Sequence, residues 1–313
     1  MICPAQRRFE MLNQITPLIL TYNEAPNIRR TLEKLYWASD IVVVDSFSDD
    51  ETVEILKSCS QVRLFQREFD TNAGQWNFGL KQTLIASEWV LALDADYILT
   101  DKFVDELRAL ELPTDNRAYQ SEFRYCINGK VIRSGIYPPV TVLYRREAGS
   151  YEQDGHTQRF VFNGVIDKLK SSILHDDRKP LSRWFESQTR YAKLEADKLL
   201  TSDRSTLSRT DRVRRWLVVT PFAVVFYCLV IRGGVLDGWP GFYYAFQRML
   251  AELMLSLYLI DHDLRKNFGL RTSDRGLRIA DFDPGVRQNL TSEGKNQARI
   301  NADDEVSYPR KSA

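Results

Sequence analysis

Apolar runs that alternate with helical spacing constrain this chain more than any other feature. "ITPLILTYNE", "DIVVVDSFSDD" and "EWVLALDAD" are apolar almost throughout before they break into polar residues, and "QVRLFQRE" is a further short strand. Between them lie "NIRRTLEKLYWA", with Ile28, Leu32 and Leu35 at helical spacing, then "ETVEILKSC" and "AGQWNFGLKQTLIA". Strands apolar on both faces, separated by amphipathic helices, belong to a mostly parallel sheet covered on both sides. The expected fold class is therefore α/β. In such sheets ligands bind beyond the carboxyl ends of the strands. Here those ends carry Thr21 to Glu24, Asp45 to Asp50, and Asp94 to Asp96. One D-x-D could be a turn, since aspartate bonds the nearby backbone where strands end. Three polar clusters on one edge exceed turn chemistry.

The kind of ligand follows partly by exclusion. No G-x-G-x-x-G follows the first strand and no G-x-x-x-x-G-K-[ST] occurs, so neither dinucleotide nor P-loop phosphate binding is supported. Carboxylates repel phosphate unless a cation lies between them, a role suited to Mg²⁺ or Mn²⁺. Asp45 suits a base or ribose, because a carboxylate accepts from N–H and hydroxyl groups. The edge thus reads as a nucleoside-diphosphate site with a metal. A net charge of +1 in 313 residues lacks the cationic excess of nucleic-acid binding. Cys3, Cys59, Cys126 and Cys228 form no C-x-x-C pair and read as buried thiols in a reducing compartment, with no zinc site. The start, "MICPAQRRFEMLNQ", lacks the apolar stretch of a secretory signal, so the amino end is expected in the cytosol.

"LTYNE", "VVVDSFSDDET" and "LDADY" resemble the signature strands of family 2 glycosyltransferases, and "RYCINGK", "LYRR", "GHTQR" and "LDGWPGF" extend the likeness. The ordered set covers roughly residues 14 to 262. It is similar to the bacterial branch containing lipopolysaccharide-core β-glucosyltransferases. The resemblance implies a GT-A fold and a hexosyl transfer with inversion, from a nucleotide sugar, probed first as a UDP-sugar. It places Thr21, Asn23 and Glu24 in the nucleotide pocket, Asp45 on the base with Ser46 beside it, and Asn77 near the donor sugar or diphosphate. Asp94 would meet ribose or metal, and Asp96 would hold the metal. Relatives often carry a basic residue where this chain has Trp76, which suits the core equally.

Inverting transfer needs a base for the acceptor hydroxyl. "SYEQDGHTQR" offers Glu152, Asp154 and His156. Relatives tend to have Glu after the histidine, where this chain has Thr157. Asp154 is then the preferred base, and His156 a metal ligand or second contact. His175, in "ILHDD", is a weaker ligand candidate that also suits a structural histidine.

The second half changes character. An amphipathic helix carrying Trp184, Tyr191 and Leu194 leads to Arg204, Arg209, Arg212, Arg214 and Arg215. Next comes "WLVVTPFAVVFYCLVI", apolar except for Thr220 and shorter than the span of about 20 residues that a bilayer needs. "FYYAFQRMLAELMLSLYLI" is apolar at helical spacing but holds Arg248 and Glu252. Interfacial attachment to an anionic membrane, packing on the catalytic domain, and a true span all remain open. The expected layout is a GT-A domain over 1–180, a helical membrane-associating region over 181–268, and a disordered polar tail over 269–313. The expected location is the cytoplasmic face of the inner membrane, with a lipid-linked or envelope glycan as acceptor and no nucleic-acid partner. The alternatives are transfer to a polyprenyl phosphate and a noncatalytic sugar-nucleotide-binding scaffold.

Overall fold

The structure is a computed structural model that describes residues 12–111, 117–155, 157–203, 205 and 207–268. The first half alternates as read: β1 (Ile15–Thr21), α1 (Ile28–Glu33), β2 (Ile41–Asp45), α2 (Thr52–Lys57), β3 (Val62–Gln66), α3 (Asn72–Gln82) and β4 (Trp89–Asp94). Then come β5 (Tyr97–Ile98), α4 (Asp101–Ala109), β6 (Arg117–Ser121), β7 (Phe123–Ile127), β8 (Lys130–Val131) and β9 (Val140–Arg145). They are followed by β10 (Gly149–Asp154), β11 (Thr157–Phe162), β12 (Val165–Lys168) and β13 (Ile173–His175). The helices α5 (Leu181–Thr201), α6 (Arg209–Arg214), α7 (Val219–Phe226) and α8 (Trp239–Asn267) complete the described chain.

The main sheet has the order β12-β6-β9-β4-β1-β2-β3. Its β1, β2, β3 and β4 are parallel, and β9 alone runs against the others. Successive side chains on a strand point to opposite faces, and here both faces are buried. Ile19, Val43, Leu91 and Leu93 pack against Ile28, Leu35 and Phe103 on one side. Leu18, Val42, Val44, Val90 and Ala92 pack against Trp76, Leu80 and Tyr144 on the other. This is the mixed α/β architecture with a parallel-rich sheet that the apolar runs imply. Gly79 brings α3 close to the sheet, for a Cβ there would stand 2.7 Å from Leu18 Cδ1.

Local chemistry sets the helix ends. Thr71 caps α3 by accepting from the Gly74 N–H, and Thr100 caps α4 by accepting from Phe103. The helix expected to run on through Ala86 stops at Gln82. Thr83 Oγ1 there donates to the Gly79 carbonyl, and Leu84 turns left-handed at φ 53°. The apolar run from Trp216 is also not one straight helix. Pro221 falls in the first turn of α7, where its missing N–H costs nothing. The break comes later, in a π-turn at Tyr227–Ile231 and a 3₁₀ turn at Gly234–Asp237. The described residues through His262 cluster as one compact unit, in which sheet gives way to helix after residue 180. The expected tail, the "NLT" at Asn289, Cys3 and Arg204 lie outside the described residues.

A second sheet, β5-β13-β7-β8, flanks the carboxyl end of β4, and β10-β11 forms a separate hairpin against α3. Three cysteines, Cys59, Cys126 and Cys228, are free thiols among the described residues.

Candidate functional site

The strand register gathers the sequence-predicted residues at one edge. Thr21 stands opposite Asp45, and Leu20 opposite Asp94, so the ends of β1, β2 and β4 are level. Asp45 is fully buried. Its carboxylate accepts from Thr21 Oγ1 at 2.8 Å, the Ser48 N–H at 2.9 Å and Gln66 Nε2 at 3.2 Å. As it stands, Asp45 organises the wall of the site. Ser46 lies beside it, donating its N–H to the Thr21 carbonyl and accepting from Gln75 Nε2.

The two loops that follow β1 and β2 are laced together. Asn23 takes the left-handed region at φ 55°, which asparagine tolerates better than most residues. Its amide donates to Asp49 Oδ1 at 2.6 Å and accepts from the Asp49 N–H at 2.9 Å. Its own N–H reaches Ser48 Oγ, and the Glu24 N–H reaches Thr52 Oγ1. Phe47 also has a positive φ, 57°, and its ring is exposed. A bulky residue held there is strained, and such strain clusters at functional sites.

The carboxylates after β4 meet groups from far along the chain. β13 pairs antiparallel with β5, setting His175 opposite Tyr97, and the Asp176 N–H donates to the Asp96 carbonyl. His175 Nε2 thereby comes to 3.0 Å from Asp96 Oδ2. The imidazole sits among the rings of Tyr97, Tyr125 and Tyr137. Lys179 Nζ lies 2.5 Å from Glu24 Oε1, and Asn27 Nδ2 bridges Glu24 Oε2 and Asp177 Oδ1. Arg30 ties α1 to the same segment through Asp176 at 2.7 Å.

The electrostatics are those of an acidic cluster short of countercharge. Burial, then the charge of Asp96, pushes the Asp94 carboxyl up to about 6. Burial alone would also raise Asp96, but the His175 charge and hydrogen bond outweigh it and hold it below the usual range. Burial opposes the charged His175 as well, yet Asp96 raises its pKa. Burial pushes Glu24 up to about 8 despite Lys179, and Lys179 is held above its ordinary value, chiefly by Glu24. Asp96 Oδ1 and His175 Nδ1 are buried without a hydrogen-bond partner. An orphaned carboxylate oxygen beside a second, half-buried carboxylate suits a divalent cation. Among the described residues, no cluster of three or more His, Cys, Asp or Glu side chains is placed to hold one. Asp94 and Asp96 would therefore hold it with oxygens supplied by a bound diphosphate and water, as Mg²⁺ commonly is held.

The remaining expected residues lie elsewhere or are engaged. The Asn77 amide is taken up at both ends by the Tyr151 backbone, at 2.8 and 2.9 Å. Trp76 is core, stacked on Tyr151 at 5.3 Å. Asp154, at the hairpin tip, pairs with Lys198 of α5 at 2.8 Å. His156 lies outside the described residues. Sequence reasoning missed Lys179, Asp177 and Asn27 and ranked His175 low. The one available signal was the charged string "HDDRK" directly after a short apolar run.

The parallel strands thus end in two interlaced loops and the carboxylate pair Asp94 and Asp96, at the edge where ligands bind in such sheets. More particularly, residues 18–131, from β1 to β8, match the model of Glycosyl transferase family 2, to which this segment is similar. An uncharacterized glycosyltransferase of Rickettsia bellii (strain RML369-C) is 32% identical over 168 residues, covering 50% of this chain and 55% of that protein. One from Rickettsia prowazekii (strain Madrid E) is 30% identical over 167 residues, covering 50% and 56%. The chain thus spans about half the length of the curated relatives it matches. Among solved structures, S. aureus TarS 1-349 in complex with UDP-GlcNAc covers 80% of this chain and 92% of its own, at 14% identity and a TM-score of 0.42.

Proposed function

We propose that this chain transfers a hexose, with inversion, from a UDP-sugar to a lipid-linked or cell-envelope glycan, with Mg²⁺ or Mn²⁺ held by Asp94 and Asp96. A β-glucosyl transfer to a lipopolysaccharide core is the finer form of this reading. The observation that carries it is the Asp94–Asp96 pair, with an orphaned, buried oxygen on Asp96, at the carboxyl edge of the sheet and inside the matched family segment. When bound, the cation would neutralise charge on the departing diphosphate. The chain's own groups have separable tasks. The Asn23–Asp49 and Asp45–Ser48 bonds shape the wall for the nucleoside, with Thr21 and Ser46 in support. His175 orients Asp96, and Lys179 places a half-buried positive charge against Glu24 and near Asp96.

The base has two candidates. Asp154 must leave Lys198 to meet an acceptor. Asp177 is favoured by its place: it lies two residues after His175, and its charge acts on both His175 and Lys179. It too must be released, by the Asn27 amide.

The test is calorimetry and diphosphate release with UDP- and GDP-sugars, with Mn²⁺ and with EDTA. Metal-dependent UDP binding by the native chain, abolished in folded Asp96→Ala, is the expected result. Undiminished binding by the variant would overturn the site, and binding without turnover across donors and acceptors would favour a noncatalytic binder.

A further inference from the structure

Helix α7 and the turns after it are folded with their apolar side outward. Thr220, Pro221 and Cys228 are buried, and Cys228 packs with Tyr244 and Ala245 of α8 and with Ile132. The opposite side presents Trp216, Phe222, Phe226, Ile231, Leu236 and Trp239 to solvent, with Leu236 74% and Trp239 83% exposed. That is a continuous stripe of large side chains, beyond the singly scattered apolar residues of an ordinary surface.

The protrusion is built. The 3₁₀ turn begins and ends at glycines with positive φ, Gly233 at 72° and Gly238 at 65°. Between them Asp237 is buried, accepting from the N–H groups of Arg133 and Ser134 at 2.7 and 3.3 Å, while Lys130 Nζ donates to its carbonyl. Gly234 and Gly241 lie too close for any side chain between them. Leu236 and Trp239 are therefore held outward by a pinned turn.

Charge selects the occupant. From Arg212 to Phe246 the sole carboxylate is Asp237, and it is buried, whereas Arg212, Arg215 and Arg232 are exposed at the margins of the stripe. Two copies meeting symmetrically would bring these arginines against each other, and an anionic bilayer meets them with phosphate. No helix among the described residues is long and apolar enough to cross a membrane. The ionic pair in the middle of α8 is turned inward: Glu252 is buried between Arg248 and Arg214, each at 3.3 Å.

We infer that this face docks in the outer layer of an anionic phospholipid bilayer, with α7 lying in the plane of the surface and Leu236 and Trp239 entering the acyl region. Amphipathic segments with aromatic and aliphatic residues on one side and arginines at the rim bind interfaces in this way. The inner side of the same element packs through Cys228 on Tyr244 of α8, which leads to the candidate site. Tyr244 packs on Tyr125 at 4.8 Å, Tyr125 on His175 at 4.7 Å, and His175 bonds Asp96. Docking thus sets the carboxylate pair behind the membrane face by a stack of three rings, Tyr244, Tyr125 and His175. On the glycosyltransferase reading, that position serves an acceptor anchored by a lipid tail.

The experiment is flotation of the full chain with vesicles of phosphatidylglycerol and phosphatidylethanolamine, beside vesicles of phosphatidylcholine alone. The native chain is expected to float with the anionic vesicles, less at high salt, and to have its Trp emission quenched by brominated acyl chains. Phe222→Glu with Phe226→Glu, both on exposed positions, should stay in the unbound fraction while keeping native circular dichroism and donor binding. Trp239→Phe should reduce the quenching without unfolding the protein. Equal flotation of the double variant, or no preference for anionic over neutral vesicles, would overturn the proposal. So would a dimer in vesicle-free buffer that the double variant splits, since the face would then join copies. Loss of donor binding by the native chain would instead overturn the catalytic reading and leave this result standing.

Discussion

Removing the His175 imidazole would leave Asp96 a largely buried carboxylate, with the Lys179 charge left to offset it. Losing a group that orients a metal-binding carboxylate typically costs about 10–100-fold in metal affinity. His175→Ala is expected to weaken Mn²⁺-dependent UDP binding by that much in calorimetry while binding without metal stays as it was. An unchanged isotherm would assign His175 to packing among its tyrosines. Asp94 makes a second residue-scale prediction. Its carboxyl titrates near 3.8 unfolded and is pushed up to about 6 in the fold, so between those values the folded state holds more protons. Without metal its contribution to stability is then present at low pH and is lost as pH rises through about 6. Asp94→Asn does not titrate, so its melting temperature in EDTA should gain on the wild type across that window and run parallel above it. A constant difference would mean that the fold does not raise the Asp94 carboxyl.

At the scale of elements, the β10–β11 hairpin owes its seat to α3. Asn77 clamps both backbone groups of Tyr151, and truncating it leaves a buried N–H and carbonyl without partners, worth about 1–3 kcal/mol. Asn77→Ala should therefore lower urea stability by that amount with donor affinity unchanged. A loss of affinity at full stability would return Asn77 to the donor contact that the resemblance implies. The hairpin tip and the segment after β13 also compete for the base. Removing a general base costs about 10²–10⁴-fold in rate. Single-turnover rates of Asp154→Asn and Asp177→Asn decide between them, and the larger loss is expected for Asp177. Breaking the part-exposed Asp154–Lys198 pair alone should change stability by about 0–1 kcal/mol.

For the whole molecule, the helices after residue 180 are joined by a buried ionic network. Arg214 bridges Glu195 of α5 at 3.0 Å and Glu252 of α8 at 3.3 Å, and Lys198 reaches Asp154, Glu195 and Asp211. Truncating one partner of a buried pair strands the other charge and costs about 3–5 kcal/mol. Glu252→Ala should show a loss of that size in equilibrium unfolding. A loss under about 1 kcal/mol would place the network in solvent-screened surroundings.

What the sequence determined by itself is whatever repeats locally. Apolar runs such as Ile41–Asp45 specify strands buried on both faces, and because parallel strands end together, Thr21, Asp45 and Asp94 could be placed at one edge from their positions in those runs. The inward and outward sides of the Trp216–Ile231 run were not legible, because a segment apolar all round has no periodicity to show which side packs. Nor were the partners. His175 meets Asp96 across 79 residues, and Asn27 meets Asp177 across 150. Such pairs leave no pattern in the chain, since periodicity records that a side chain is buried and not what it is buried against. Strand pairing of β13 with β5 decided them, converting a bare Asp-x-Asp into a carboxylate pair with a histidine behind it and a lysine alongside.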